Sequence, residues 1–298
     1  MKGCHMHTTK KDRIFLWILV VPALLIICLT QLYPLAYSLV VSFREWSLST
    51  SSVPQGFTLA NYAKALTNPN FLYSCRISLL FMVGTIAIEL VVGFALAYLF
   101  IGTSWTIKIC RTIVLIPMSI AAVVSGNMWR IFFDTNTGMI NLLLQGIGIQ
   151  GPNWLGDPNC AILATIIASI WQYVSFSFLI YTASMTSISD SLIEAAKIDG
   201  ACRSQIIKKI FIPLTLPATL LILIFRIIDA FFVFDQVYTL TFGGPGTSTQ
   251  VVSMYIYNQG LKYYNISYAS ACAWVVMLIA FLICGMLLKF KRHVENRL

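Results

Sequence analysis

Six long apolar segments constrain the fold of this chain more than any other feature of its sequence. They occupy roughly residues 14–41, 77–101, 112–133, 160–183, 213–234 and 269–290. A helix needs about 20 apolar residues to cross the hydrocarbon core of a bilayer, where it must satisfy all of its backbone hydrogen bonds internally. The sequence therefore predicts an all-α membrane protein with six transmembrane helices.

The composition supports a membrane location and argues against a soluble nucleic-acid-binding protein. Of the 298 residues, 58% are hydrophobic and 10% are charged, whereas a soluble domain typically has about a quarter charged residues. The net charge of +9 does not indicate a nucleic-acid partner, because the basic residues lie in short segments between the apolar ones. Nucleic-acid binding would need a basic face on a soluble fold.

The cysteine and histidine residues do not form a metal or disulfide pattern. None of the eight cysteines belongs to a CxxC pair, so we predict neither a zinc site nor a disulfide framework. The segment Cys4-His5-Met6-His7 is too short to hold a metal without partner ligands elsewhere. The first apolar segment is too long for a cleaved signal peptide, and we expect it to be retained.

The distribution of Lys and Arg predicts the orientation of the helices. Fourteen of these residues lie in the two tails and in the second and fourth connections. Five lie in or next to the other connections, roughly residues 42–76, 134–159 and 235–268. Because positive residues are retained in the cytoplasm, we expect both termini to be cytoplasmic, as tails 1–13 and 291–298 flanking a transmembrane domain of residues 14–290.

The fourth connection, residues 185–212, is predicted to form an ordered elbow of two short helices. Ser191 and Glu194 have the spacing of a capping box at a helix start. Gly200 can adopt the left-handed conformation that ends a helix, and a second amphipathic helix is expected over about residues 202–211. The elbow either serves a partner protein or simply turns the chain back into the membrane.

The same connection resembles the EAA loop of ABC importer permeases. Glu194-Ala195-Ala196 is followed by Gly200, six residues after the glutamate, and then by Ile210-Phe-Ile-Pro213. The stretch from Glu194 to Ala201 is similar to the carbohydrate-uptake branch of that family in particular. The sequence departs from the usual family pattern at Ser204, Ile207 and Ile212.

A second segment carries the same resemblance. Phe234–Thr249, followed by Tyr255-Ile-Tyr257, is similar to the region after the fifth core helix in maltose-type and glycerol-phosphate-type permeases. Tyr33-Pro34 and Asn61-Tyr62 also resemble that family. The resemblance spans essentially the whole chain and implies the type I ABC importer permease fold, in the bacterial inner membrane.

The resemblance also implies what the protein works with. The EAA loop would be a coupling helix that contacts a separate ATP-binding subunit through Glu194, Ala195, Ala196, Asp199 and Gly200. The chain has no GxxxxGK[ST] motif, so we expect it to bind no cofactor and to be no enzyme, while a dimer of the partner ATPase uses ATP and Mg²⁺. A second permease subunit, either a homologue or a copy of this chain, and an extracytoplasmic solute-binding protein are the other expected partners.

Charged residues within the apolar segments are candidates for function, because charges are costly in a bilayer. Arg226 and Asp229 are three residues apart and can pair on one helix face, and Glu89 is expected to contact a neighbouring helix. The candidates for lining a solute path are Asp229, Phe232, Asp235 and Gln236. The alternative is that Arg226 and Asp229 only fix the fifth span to a neighbour.

The sequence leaves the solute open among a disaccharide, an oligosaccharide, a polyol and glycerol phosphate. Arg226 is the one evident basic residue inside a span, which favours an uncharged sugar over a phosphorylated solute. A stand-alone secondary carrier is less favoured, because residues 1–150 and 151–298 show no clear repeat. A membrane enzyme is also less favoured, because the three histidines, His5, His7 and His293, lie in the tails.

Overall fold

A computed structural model describes the backbone of residues 10–295 and the side chains of residues 17, 18 and 20–292. The remaining ends of the two predicted tails, and with them the Cys4–His7 segment, lie outside the described residues. Between residues 10 and 295 the chain is mainly helical, and its β-type pairing consists of one isolated bridge between Glu45 and Gln55.

Fifteen α-helices form the described part of the chain, and several are consecutive pieces of one longer helix. Their bounds are α1 (Lys10–Ile27), α2 (Tyr33–Ser42), α3 (Ala60–Thr67), α4 (Pro69–Leu99), α5 (Trp105–Leu115), α6 (Ala122–Phe132), α7 (Met139–Gly146), α8 (Pro158–Thr186), α9 (Asp190–Ile198), α10 (Arg203–Ile206), α11 (Ile212–Leu214), α12 (Leu216–Phe231), α13 (Asp235–Thr241), α14 (Val252–Tyr257) and α15 (Ile266–Glu295). Turns of 3-10 or π geometry join or extend them at Cys28–Leu32, Ile116–Ser119, Ile207–Phe211 and Asn258–Lys262.

All six predicted apolar segments are helical, but they are not all straight. Four helices are individually long and apolar enough to cross a membrane, namely Val20–Ser42, Pro69–Leu99, Pro158–Thr186 and Ile266–Arg292. Two further pairs are long enough only when taken together, namely Trp105–Ser119 with Ala122–Phe132, bent by 99°, and Arg203–Leu214 with Leu216–Phe231, bent by 58°. The described residues therefore hold six spans if each bent pair crosses the membrane once.

The third segment is not the continuous helix that its hydropathy predicts. Pro117 lies in a 3-10 turn, and the backbone of Ile120 is extended before α6 begins. Carbonyl groups freed at such a break need other partners in an apolar medium. They find them on α8, where Gln172 Nε2 donates to the carbonyl oxygen of Ile120 at 2.7 Å and Ser175 Oγ donates to that of Val114 at 2.5 Å.

The second and fourth spans begin earlier than the hydropathy predicts, because a polar residue followed by proline caps each of them. Asn68 caps α4 and Asp157 caps α8, and each side chain accepts two hydrogen bonds from backbone amides, at 2.9 to 3.2 Å. Pro69 and Pro158 then occupy the first helical position, where a missing amide is tolerated. The amide of Cys160, foremost among these donors, holds the pKa of Asp157 below its usual range.

The helices α4 and α8 form the central pair of the fold, and small residues bring their backbones close together. The small residues that α8 buries include Ala161, Ala164, Ala168, Ser169 and Ser175. Gly93 of α4 lies against Ser177, and a Cβ atom added at Gly93 would be 2.7 Å from Ser177 Cβ. Close approach of this kind lets van der Waals packing hold membrane helices together, since lipid supplies no hydrophobic driving force between them.

The first span lies at the edge of the molecule. Only 6% of its most apolar stretch, within Val20–Ser42, is buried. Trp274 Nε1 on α15 donates to Ser38 Oγ at 3.2 Å, and Ser42 Oγ lies 2.7 Å from Tyr62 Oη on α3. The hydrogen bonds from this helix to the rest of the fold thus cluster near its end.

We expect Gly93→Ala to destabilise the protein, because the new methyl group would overlap Ser177 across the α4–α8 contact. Overpacking of this size typically costs about 1–3 kcal/mol. Gly285→Ala is the matched control, since an added Cβ there meets no atom within 4 Å and the substitution raises helix propensity. Thermal unfolding of the protein in nanodiscs measures the difference, and equal midpoints for the two variants would contradict the close packing.

Candidate functional site

The predicted elbow is present as two short helices around a left-handed glycine. The helix α9 ends at Ile198, Gly200 has φ +78°, and α10 begins at Arg203. The predicted capping box is wrong, because α9 begins two residues earlier than that box requires, with Ser189 in place of Ser191 at its N-cap position. The hydroxyl of Ser191 lies 2.7 Å from that of Ser189 instead of bonding the backbone.

The helix α9 has one face packed against the protein and one face free. Ile193 and Ala196 are half-buried against an apolar cluster at this end of the molecule. Leu192, Ala195 and Ile198, spaced three apart, are exposed, and Ile198 is 86% exposed. An apolar face left uncovered beside a membrane is typical of a surface that binds another protein.

The two predicted acidic coupling residues, Glu194 and Asp199, lie on the surface of this elbow. Both are exposed. Among the described residues, neither elbow carboxylate forms an ion pair with a cation. The elbow therefore presents two negative charges and an uncovered apolar stripe to whatever docks against it.

Buried aromatic contacts fix the elbow to the helices within the membrane. Phe211 is buried, and its ring lies 5.1 Å from that of Tyr98 at the end of α4. Arg203 Nε donates to the same tyrosine hydroxyl at 3.1 Å, and Ile206 is buried beside it. The chain then continues through a π turn and α11 into α12, with the bend at Thr215. The elbow is thus continuous with α12 along the chain and packed against the end of α4.

A buried ion cluster joins α12 to α4 within the membrane segments. Arg226 donates to both oxygens of Glu89, with Nε 2.8 Å from Oε2 and Nη2 3.0 Å from Oε1, and its Nη1 donates to Asp229. The guanidinium also lies 3.9 Å from the ring centroid of Tyr173 on α8. The predicted pairing of Arg226 with Asp229 is confirmed, and Glu89 makes a helix contact as expected.

The role of Glu89 as the main partner of Arg226 was missed in the sequence. The glutamate is fully buried, while Arg226 is 3% exposed at its side chain. A signal for this pair exists, because a cation and an anion that both lie within apolar segments each need a partner. Their separation of 137 residues hides which partner that is.

Asp229 differs from Glu89 because it faces a cavity. Its side chain is 53% exposed, and it lines a cavity of about 440 Å³ beside the bend of the third span. Most of the other lining residues are apolar or aromatic, namely Met118, Tyr173, Phe176, Phe225 and Ile228. A carboxylate at the edge of an aromatic-lined cavity can accept hydrogen bonds from solute hydroxyls while the rings cover apolar surface.

The other three residues expected on the path occupy two different environments. Phe232 and Asp235 are exposed where α12 ends and α13 begins, and neither lines the cavity beside Asp229. Gln236 is 1% exposed. Its Nε2 donates to Gln172 Oε1 at 3.0 Å and to Ser125 Oγ at 3.1 Å. In this conformation Gln236 supports the broken third span from inside the helix packing and is not open to a solute.

Comparisons with known proteins show which family and which fold this chain is similar to. A sequence model of the family described as "Binding-protein-dependent transport system inner membrane component" matches residues 89–298. The trehalose/maltose transport system permease protein MalF of Thermococcus litoralis is 34% identical over 226 residues, which cover 76% of this chain and 77% of the relative. The sulfoquinovosyl glycerol transport system permease protein SmoG of Agrobacterium fabrum is 32% identical over 285 residues, covering 94% and 91%.

A solved structure shares the fold. It is that of a bacterial ABC transporter involved in the import of the acidic polysaccharide alginate. The superposition has a TM-score of 0.83 and covers 95% of this chain and 96% of the other, at 22% sequence identity.

We expect Arg226→Met to destabilise the protein strongly, because it leaves Glu89 buried without a cation. Breaking a buried pair in this way typically costs about 3–5 kcal/mol. The double variant Glu89→Gln/Arg226→Met removes both charges and should recover much of that loss. Thermal unfolding in nanodiscs is the measurement, with Lys108→Met, at an exposed lysine, as the control. If the double variant is no more stable than Arg226→Met, the unpaired charge of Glu89 is not the cause of the destabilisation.

Proposed function

This chain belongs to the binding-protein-dependent transport system inner membrane component family, and on that premise we propose that its elbow receives mechanical work and its charged cavity passes a carbohydrate. The chain is a permease subunit of an ABC importer, located in the bacterial inner membrane. It is a transport subunit and not an enzyme. It works with a second permease subunit, an ATPase and an extracytoplasmic solute-binding protein.

The observation that carries the proposal is the continuity between the elbow and α12. The uncovered face of α9 offers Leu192, Ala195 and Ile198 to the ATPase, with Glu194 and Asp199 beside them. The bent helix that follows the elbow leads into α12, which has 16 residues and is about 24 Å long. Its far end carries Asp229. A shift imposed on α9 is thus delivered to the cavity as a rigid-body movement.

ATP and Mg²⁺ are bound by the partner ATPase in this proposal. The Gly243-Gly-Pro-Gly246 turn lacks the lysine of a phosphate-binding loop. It also lies beyond the far end of α12 from the elbow, on the predicted outer side. The glycine-rich turn therefore supplies no nucleotide site on the face where the energy enters.

A carbohydrate is the solute class that the cavity supports best. The two relatives described above are named for trehalose and maltose and for sulfoquinovosyl glycerol. The aromatic lining beside Asp229 suits a sugar, which has both apolar faces and hydroxyl groups. Glycerol 3-phosphate is less favoured, because Glu89 and Asp229 already neutralise the Arg226 guanidinium and leave it no free charge for a phosphate.

We expect Gly200→Val to abolish coupling while the importer still assembles. Gly200 has φ +78°, which a β-branched residue adopts only with strain, so the angle between α9 and α10 would change. Gly148→Val is the matched control, since Gly148 has φ +80° and, like Gly200, no atom within 4 Å of an added Cβ.

The measurement for the Gly200 prediction is ATP-driven sugar uptake into proteoliposomes that contain the whole importer. We expect both variants to assemble as the wild-type importer does. Uptake should be lost in Gly200→Val and kept in Gly148→Val. Equal uptake by both variants, or uptake by wild-type protein without the ATPase, would refute the coupling role.

We expect Asp229→Ala to weaken sugar binding by the assembled importer while leaving it stable. The side chain is half exposed, and Glu89 still compensates Arg226 after the change. A hydrogen bond to a charged group is typically worth about 1.5–3 kcal/mol, or roughly tenfold or more in affinity. Saturation-transfer NMR with maltose, trehalose and an alginate oligosaccharide, in the absence of the binding protein, measures it. Unchanged affinity would mean that Asp229 only positions Arg226.

A further inference from the structure

A second cavity, of about 410 Å³, lies beyond the far end of α12 from the elbow, on the predicted outer side of the membrane. Its lining combines four aromatic residues with an amide and an ammonium group, namely Tyr238, Phe242, Tyr257, Tyr264, Asn258 and Lys262. None of the residues proposed to couple the ATPase or to line the path beside Asp229 belongs to it. The size is within the range of small-molecule sites.

Two of the aromatic rings are carried on strained backbone. Phe242 has φ +53° and Tyr264 has φ +61°, and these are the positive-φ residues other than glycine in the described part of the chain. Bulky residues rarely adopt this region, which glycine occupies without strain. Such outliers concentrate at functional sites, and here both of them face the same cavity.

Hydrogen bonds hold the two strained residues in place from either side. The carbonyl oxygen of Tyr264 accepts from the amide of Leu48 at 3.0 Å. On either side of Phe242 and the glycine-rich turn, the hydroxyls of Thr241 and Thr249 lie 2.7 Å apart and close the turn. The strain is therefore built into the fold and is not the result of a loose loop.

The two strained residues do not bury their side chains, so packing does not offset the backbone strain. Phe242 is 54% exposed and Tyr264 is 52% exposed. The Tyr264 ring has no aromatic or cationic neighbour among the described residues, whereas Phe242 lies 5.3 Å from Tyr238 and has Arg130 on its face at 4.8 Å. A strained and exposed ring at the rim of a cavity is better explained by a ligand than by packing.

The amide and the ammonium group of the cavity are available to a ligand. A π turn, Asn258–Lys262, carries both the amide and the ammonium group, and π turns frequently occur at functional sites. In the described part of the chain, neither side chain has a hydrogen bond or an ion pair. Both are hydrogen-bond donors, and the lining contains no carboxylate.

We propose that this cavity is a separate sugar-binding subsite at the outer mouth of the path. A sugar ring would stack on Tyr257, Phe242 and Tyr264, while Asn258 and Lys262 donate to its hydroxyl groups. The proposal rests on the proposed function, since it assigns the same solute class to an earlier position on the path. Ring contacts at 5.1 Å from Tyr238 to Phe234 and at 5.0 Å from Tyr257 to Phe234 connect the cavity with the start of α13, where Asp235 lies.

The test uses Tyr264→Gly. If the Tyr264 ring only supports the fold, the substitution should leave sugar binding unchanged; if the ring binds sugar, the substitution should weaken binding without loss of stability. Glycine relieves the positive φ and removes an exposed ring that packs on no other aromatic residue, so the folded importer should be as stable as the wild type or more stable. Tyr263→Ala is the matched control, because Tyr263 is 54% exposed and lies outside the cavity lining. Both substitutions are made in the Asp229→Ala importer, in which the site beside Asp229 binds sugar more weakly and contributes less to the measured affinity.

Saturation-transfer NMR with whichever of maltose, trehalose and an alginate oligosaccharide the wild-type importer transports gives the readout, again without the binding protein. We expect Tyr264→Gly to weaken binding about three- to tenfold, with an unchanged or higher melting temperature, and Tyr263→Ala to change neither. Wild-type affinity in Tyr264→Gly, or no binding in the Asp229→Ala parent, would overturn the subsite. A wild-type importer that transports none of the three sugars would instead overturn the proposed function, and the subsite with it.

Discussion

The architecture depends on the pairing of the Arg226 charge within the membrane-spanning helices. A lone charge at the centre of a membrane helix costs about 2.5–3.5 kcal/mol on insertion scales. Glu89 offsets that cost by accepting from Nε and Nη2 along one edge of the guanidinium, and it thereby joins α12 to α4. Since α4 packs against α8 through Gly93, the three helices form one body, and the elbow is attached to it through Tyr98 and α12. The proposed transmission of work needs this rigidity.

Two bends interrupt the helices of this rigid body. At Thr215 the bend separates the elbow from α12, and at Ile120 the break separates α5 from α6. The second break is stabilised by Gln172, which is in turn bonded to Gln236 of α13. An interruption of a membrane helix is tolerated when the freed backbone groups are satisfied by protein and not by water. The buried amides thus have a structural role that residue type alone does not distinguish from solute binding.

The sequence predicts the local features of this fold and misses the distant pairings. The six apolar segments and the turn at Gly200 follow from hydropathy and from backbone conformations available to glycine, which neighbouring residues determine. The break after Pro117 is not predictable in the same way, because Gln172, 52 residues from Ile120, makes it acceptable. The same holds for Glu89 and Arg226, and for the cavity formed by Phe242 and Tyr264, whose backbone strain appears in no pattern of composition.

The weak attachment of the first span has a consequence for how such proteins diversify. With 6% of its apolar stretch buried and its hydrogen bonds to α15 and α3 clustered near its end, this helix contributes little to the core that holds the proposed path. Where this helix faces lipid in the assembled importer, its length and hydropathy can follow the thickness of the host bilayer, because tilting can absorb hydrophobic mismatch. A span held to its own chain this loosely is therefore where such a protein can change to suit a new membrane.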